Sequence, residues 1–392
     1  MANESVYLPP ELITNILLRL PVKTLLRCKS VCKLWLSFIS NPDFATSHFQ
    51  FAASPPTHKL LFLQDYSDAP ETPFIDFDAP ETLSINFDAS LNDDSLYSSL
   101  SLDFLRSRSC EIGGSCRGFL YLHCDSYFYL WNPSTGIHKN IPASPIITTA
   151  SIDYFSMLLY GFGYDSSTDD YLLVYGSYNY KTFYDLADTS IDLAIFSLRA
   201  NEWKLIEYGS HLPYRIIPKC GDGPTAGLLL NEVIHWLVYN DETSSYAILA
   251  LDLKETKMSE IALPDEFILS VTNTSLIDYD LLVVGGLISA WNVEKYTVEI
   301  WVMQEYKLHS SWTKTLNFSF HPGLDFLPLC FTNCGNIVGT VHGGGLVKLN
   351  DKGQLLEHHS YGNCYFERSQ MTVYTESLLS LPSGTGQALD DS

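Results

Sequence analysis

Five stretches of this sequence repeat one another in outline, each an apolar run followed by a turn rich in Asn, Asp, Lys or Gly. They are Tyr129 through Gly136, Ile195 through Trp203, Leu249 through Lys257, Val298 through Met303 and Val347 through Gly353. With Trp131, Ser197, Asp252, Val302 and Leu349 set equivalent, successive units stand 66, 55, 50 and 47 residues apart. A period drifting near 50 constrains the fold strongly, because each unit is a small sheet that cannot bury both faces alone and must stack on its neighbours. The expected fold class is mainly β, a β-propeller of six blades. A β-sandwich would supply as many strands but fits the repeats less well.

The rest of the body agrees with that reading. After Pro55-Pro56, runs such as Lys59 to Phe62, Gly118 to Leu122, Tyr171 to Tyr175, Val233 to Tyr239 and Met371 to Tyr374 are β-branched and aromatic, and Gly, Pro, Asn and Asp separate them. About two dozen strands are expected. With 392 residues, 46% of them hydrophobic, the chain can bury a core without covalent staples, so the nine cysteines are expected to be reduced thiols. Trp131, Trp203, Trp236 and Trp301 lie inside the repeated units and are expected to pack blade against blade.

The first 50 residues follow a different rule. Leu12, Ile13, Ile16, Leu17 and Leu20 recur at the helical period, with Pro9 and Pro10 at the start, Glu11 in the first turn and Pro21 as the stop. A second helix over Val22 to Arg27 and a third through Val31, Trp35, Phe38 and Ile39 follow, ending before Asn41-Pro42. About 35 residues cannot bury so many large apolar side chains among themselves, so the surplus calls for a partner surface. This head has five Lys and Arg against three Asp and Glu, whereas the body has 18 against 42.

Two resemblances sit on these residues. Leu8-Pro9-x-Glu11-Leu12, Ile16-Leu17-x-Arg19-Leu20-Pro21-Val22-Lys23-x-Leu25-x-Arg27 and Val31-Cys32-Lys33-x-Trp35 resemble an F-box. The resemblance implies a three-helix domain over residues 1–50 that docks on the acidic Skp-family adaptor of a cullin-based ubiquitin ligase. Leu8, Pro9, Ile16, Leu17, Leu20, Pro21, Leu25, Val31 and Trp35 would form or support that interface. By periodicity alone the same residues could be the internal core of a plain helical cap. The second resemblance is carried by Gly114 through Gly118, Trp131 through Gly136, Gly161-Phe162-Gly163-Tyr164-Asp165, His235-Trp236, Ile300 through Met303 and Ser311-Trp312-Thr313. These are similar to the F-box-associated region of plant F-box/kelch-repeat proteins, the S-locus F-box group among them. They imply a kelch-like, substrate-binding propeller over residues 51–392, which holds a target protein for ubiquitination and degradation and contributes proximity alone. A scaffold acting without degradation, and a kelch-type propeller enzyme with metal ligands on its axis, are the alternatives.

Motifs for other chemistry are incomplete. His342-Gly343-Gly344-Gly345 resembles an oxyanion loop but lacks a Gly-x-Ser-x-Gly companion, and Cys28/Cys32 and Cys330/Cys334 lack the second pair that zinc requires. No catalytic residue, metal or cofactor is therefore expected. The net charge of -22 speaks against a nucleic-acid binder and favours a target with a basic patch. The longest apolar stretch, Leu281 to Trp291, is too short for a bilayer, and Glu4 and Glu11 do not suit a signal peptide, so a soluble cytoplasmic or nuclear protein is expected. For target contact the candidate loops are Ser177 to Asp192, with Tyr178, Tyr180, Phe183 and Tyr184, and His211 to Pro224, with Tyr214 and Arg215. A near-repeat of residues 68 to 77 at 78 to 87 reads either as a lengthened solvated loop or as an acidic docking segment.

Overall fold

A computed structural model describes residues 9–52, 58–63, 82–92, 97–105, 110–124, 127–146, 158–179, 190–206, 214–216, 225–267, 278–324, 326–341, 345–360 and 370–382. Among them 26 strands pair into six sheets, which are the six blades of a β-propeller. Blade 2 shows the plan, with antiparallel strands Glu111–Cys116, Phe119–Cys124, Tyr127–Trp131 and His138–Ile141 in that order. Blade 3 follows as Leu158–Asp165, Asp170–Asn179, Ser190–Ser197 and Glu202–Ile206. Blade 5 is Asp278–Val284, Leu287–Glu294, Thr297–Met303 and Trp312–Ser319, and blade 6 is Phe326–Phe331, Ile337–Val341, Gly345–Leu349 and Leu355–Ser360. First strands of successive blades lie against one another around the axis.

Three blades depart from the plan. In blade 3 the short strand Thr225–Ala226 adds in parallel beside Leu158–Asp165. Blade 1 is made from both ends of the body: His58–Leu63, Thr82–Ile85 and Tyr97–Leu100 receive Gln370–Thr375 as their innermost strand, paired Leu60 to Val373 and Leu61 to Thr372. In blade 4 the first strand is short. Leu228–Leu230 covers only the start of Val233–Asn240, and Tyr214–Ile216 covers its end, before Ser245–Asp252 and Lys257–Ala262 complete the sheet.

An antiparallel four-stranded blade puts its first and third turns at one end and its second turn at the other, which gives the ring two distinct faces. First turns of blades 2, 4 and 5 are tight, with both central residues at positive φ: Arg117-Gly118 at 49° and 84°, Asn231-Glu232 at 51° and 63°, Gly285-Gly286 at 58° and 80°. Third turns of blades 2, 4 and 6 are fixed by Asx side chains. Asn132 Oδ1 accepts from Ser134 N, Asp252 Oδ1 from Lys254 N and Asn350 Oδ1 from Lys352 N. Of the residues set equivalent in sequence, Trp131, Ser197, Asp252 and Leu349 each end their blade's third strand, and Val302 falls one residue short.

The blades are joined by aromatic side chains. Trp203 and Trp312, both at the start of a fourth strand, donate Nε1–H to Pro142 O at 2.7 Å and Ala262 O at 3.0 Å, each at the end of the preceding blade's fourth strand. Trp236 donates to Tyr160 O at 2.7 Å across the seam of blades 3 and 4. Trp131, Trp236 and Trp301 are buried, and Trp203 is half-buried.

Two sequence expectations need correction. Cys110 and Cys124 are joined by a disulfide, while Cys28, Cys32, Cys116, Cys330 and Cys334 are free. The pair flanks the directly opposed Glu111 and His123, so antiparallel pairing brings together cysteines 14 residues apart that carry no spacing motif. The second copy of the near-repeat is also not all loop. Thr82, Ser84, Ile85 and Phe87 are buried in blade 1, and Asp88 accepts from Asn333 N and Nδ2 of blade 6, while 68–81 lie outside the described residues.

Candidate functional site

Four helices form the head: α1 Pro10–Leu17, α2 Val22–Cys28, α3 Lys33–Ile39 and α4 Pro42–Ala52. The fourth follows the Asn41-Pro42 stop, because Asn41 Oδ1 accepts from Asp43 N at 2.7 Å and so opens a new helix. Pro9 and Pro21 precede α1 and α2, and their carbonyls accept from Leu12 N, Ile13 N, Thr24 N and Leu25 N. Cys32 caps α3 through its sulfur and Trp35 N.

The apolar stripe of α1 divides into two rows. Leu17 is fully buried and Ile13 and Leu20 are half-buried on the inner row, whereas Leu12 and Ile16 are about half exposed on the outer one. The same division runs through the other helices. Val22, Leu25 and Ile39 are interior, Trp35 is half-buried, and Val31, Leu34 and Leu36 are exposed. Of the proposed adaptor residues, Leu17 and Leu25 therefore act as internal support, while Pro9, Ile16, Pro21 and Val31 reach solvent and Leu20 and Trp35 lie between; Leu8 falls outside the described residues. Sequence reasoning placed Leu12 on the helical stripe and in the F-box motif but assigned neither it nor Leu34 and Leu36 to the interface.

The inner row does not close on itself. Leu17, Val22, Leu25, Ile39, Phe44 and Ala45 share one core with Cys116, Phe119, Tyr171 and Leu198 of blades 2 and 3 and with Leu378 and Leu379 beyond the last strand. Those propeller residues lie at first and third turns, so the head sits on that face of the ring. Arg117 connects the two parts, its guanidinium 5.3 Å from the Phe49 ring of α4 and 4.0 Å from the Tyr164 ring of blade 3. His48 Nε2 meets Leu20 O at 2.9 Å inside the head.

The segment after Gln370–Thr375 completes this junction. Lys59 Nζ lies 2.6 Å from Glu376, and buried Asn132 donates through Nδ2 to Ser377 O and Leu379 O at 3.2 Å each. Gly118, at φ +84°, is required here, since a Cβ would stand 2.1 Å from Ser377 Oγ. Neither Arg117 nor Asn132 was singled out as a junction residue in the sequence, although both lie in the Gly-Ser-Cys-Arg-Gly and Trp-Asn-Pro segments.

The opposite face carries the second turns and the connections between blades. Strands flanking 64–81, 180–189 and 342–344 end there. Of the target-contact candidates, Tyr178 is not in a loop: its backbone pairs with Ile191 in blade 3. Tyr180, Phe183 and Tyr184 lie outside the described residues. Tyr214 and Arg215 are also strand residues, opposite Asn240 and Tyr239. Tyr214 is half-buried and hydrogen-bonded to Glu260, and burial followed by that carboxylate pushes its phenol up to about 12. A buried polar group joins blades 2 and 3 nearby, where the Tyr160 hydroxyl donates to Glu111 at 2.7 Å and contacts His123 Nδ1 at 2.5 Å. Among the described residues no three His, Cys, Asp or Glu side chains could hold a metal ion, and no helix is long and apolar enough to cross a membrane.

Comparison with known proteins adds two family matches. The F-box domain matches residues 7–46, and the F-box associated beta propeller domain matches residues 74–353. An F-box/kelch-repeat protein of Arabidopsis thaliana is 26% identical over 95% of this chain and 95% of its own length. The F-box protein CPR1 of the same plant is 26% identical over 78% of this chain and 72% of its own length, and another Arabidopsis F-box protein is 28% identical over 83% of each. Among solved structures, TolB from Acinetobacter baumannii overlays 85% of this chain and 71% of its own with a TM-score of 0.39 and 11% identity, too loose a likeness to carry an argument.

Proposed function

The chain belongs to the F-box proteins with an associated β-propeller, and from that premise we propose that it is the substrate receptor of a Skp-cullin-F-box ubiquitin ligase. The observation that carries the reading is the outer row of Leu12, Ile16, Val31, Leu34 and Leu36, all more than two-fifths exposed on or between helices whose inner row is already packed. An apolar surface of this kind on a well-packed domain is a docking surface, and the Skp-family adaptor is its occupant. The propeller holds a target protein on its opposite face. Head and ring share one core, so the target is carried in a fixed pose relative to the adaptor, and proximity to the charged conjugating enzyme does the rest.

The test is co-purification of the full chain with the adaptor and its cullin. Ile16→Asp with Val31→Asp should abolish capture and leave the melting temperature unchanged, because both side chains already face water. Wild-type capture by that double variant would refute the assignment. Targets are then those proteins that accumulate on the wild-type chain, and not on the double variant, when the proteasome is inhibited.

A further inference from the structure

Cys110 and Cys124 are joined where the ring closes. Their disulfide stands just beyond the Glu111–His123 pair, the last rung of the ladder between the first two strands of blade 2, at the end away from the head. Both residues are buried, at 1% and 0% exposure, in the core that joins blade 2 to blade 1, to which the start of the body contributes Leu61 and Leu63 and its end contributes Tyr374. Gln370 begins Gln370–Thr375, the strand that closes the ring in blade 1, and its side chain grips the same rung. Its Oε1 accepts from Ile112 N at 2.7 Å and its Nε2 donates to Cys110 O at 3.3 Å. The disulfide thus holds together the hairpin of Glu111–Cys116 and Phe119–Cys124 on which Gln370–Thr375 docks. Burial pushes the free thiols of Cys116 and Cys330 up to about 12, so neither supplies a thiolate that would reshuffle the pair.

We propose that Cys110 and Cys124 form a redox-operated latch on the closing seam of the ring; the inference does not depend on what the propeller carries. Thiol–disulfide exchange needs a thiolate to reach a disulfide sulfur. Both cysteines are enclosed in the core between blades 1 and 2, so a reductant meets them only when this seam opens. Fraying of the hairpin also takes Ile112 N and Cys110 O away from Gln370, which ties the opening of the hairpin to release of the closing strand. The coupling is reciprocal: the cross-link disfavours opening by the same factor by which the closed seam protects the cross-link. Cysteines 14 residues apart enclose a loop for which the chain-entropy effect is about a hundredfold. A dithiol of the dithiothreitol or thioredoxin class releases the latch. One of its thiolates breaks the protein S–S bond to give a mixed disulfide, its second thiol displaces the remaining protein sulfur, and two electrons and two protons end on Cys110 and Cys124. Glutathione disulfide resets the latch, with two molecules of glutathione released for each disulfide formed.

The test compares hydrogen exchange of the full chain in dithiothreitol and in glutathione disulfide, with free thiols alkylated afterwards and the linked Cys110–Cys124 peptide followed by mass spectrometry. Reduction should speed exchange about tenfold or more in Glu111–Cys116 and Gln370–Thr375 and leave blade 5 unchanged. Cys110→Ala with Cys124→Ala should exchange like the reduced wild type in either buffer, and Cys334→Ser, at an exposed free thiol, should keep the full response. If the alanine variant does not fold, the reduced and oxidised wild type decide. The effective concentration of the two thiols, titrated with glutathione, should be about tenfold or more higher in the native chain than in concentrated urea. Absence of the linked peptide in glutathione disulfide, equal exchange in the two buffers, an acceleration shared by every blade, or equal effective concentrations would overturn the proposal.

Discussion

The two faces of the ring are made from the same strands and close them in opposite ways. On the head face the first turns of blades 2, 4 and 5 need only two residues, all at positive φ, and third turns are locked by Asn132, Asp252 and Asn350. On the other face the chain inserts 18 residues between His58–Leu63 and Thr82–Ile85 and ten between Asp170–Asn179 and Ser190–Ser197. The contrast teaches where the molecule tolerates change. Turns directly beneath the head cannot vary without moving it, whereas the longest second turns lie on the face away from it.

The contrast should break first at the seams. Trp236 is buried and bonds blade 3 from blade 4, so Trp236→Ala should cost roughly 3–5 kcal/mol and lower the soluble yield or the melting temperature sharply. A stable Trp236→Ala protein that had lost only target binding would place the tryptophan on the recognition side. Next come the two rows of α1. Leu17→Ala should cost roughly 2–5 kcal/mol, read as a shift in denaturant midpoint, whereas Ile16→Ala should leave that midpoint within about 0.5 kcal/mol and weaken adaptor capture. Equal effects on stability would erase the distinction between the rows.

A smaller effect follows from His235, which is buried between Leu228 O and the Tyr306 hydroxyl of the head-face turn in blade 5. Burial pushes its imidazole down to about 4, from 6.5. Above pH 6.5 both folded and unfolded chains hold it neutral and its contribution is complete. Between 6.5 and 4 only the unfolded chain takes up the proton, so stability falls with pH by up to about 3 kcal/mol, and no further below 4. The difference in pH–stability profile between wild type and His235→Gln, measured by denaturant unfolding, should show a step confined to that window; its absence would remove His235 from the account. Smallest is Arg117→Met, which keeps the stem but loses the cation between Phe49 and Tyr164. It should cost about 1 kcal/mol, and hydrogen exchange should speed up in α4 more than in blades 5 and 6.

Much of the ring was legible because its period is carried by local chemistry. An Asx or Gly turn after an apolar run is written in adjacent residues, which is why Trp131, Ser197, Asp252 and Leu349 align at equivalent strand ends. Blade 1 escaped that reading, since its innermost strand comes from Gln370–Thr375, and no repeat counted along the chain can join its two ends. The disulfide escaped for a related reason: the partnership of Cys110 and Cys124 depends on strand register. In the head, the helical period located the apolar residues but could not divide Leu17 from Ile16. That division depends on where blades 2 and 3 approach, and so does the use of Arg117 and Asn132.

The C-terminal segment gives the order of synthesis a meaning. The head and three strands of blade 1 leave the ribosome before the other blades, yet the ring stays open at His58–Leu63 until Gln370–Thr375 arrives, and the underside of the head waits for Leu378 and Leu379. A nascent chain stopped anywhere before residue 370 has an unpaired strand edge and an unfilled junction, both of them features that quality-control proteases attack. A closed ring with the head seated on it is thus acquired only with Gln370–Thr375, and a fragment ending at residue 369 should be cleaved between head and ring under protease conditions that spare the whole chain.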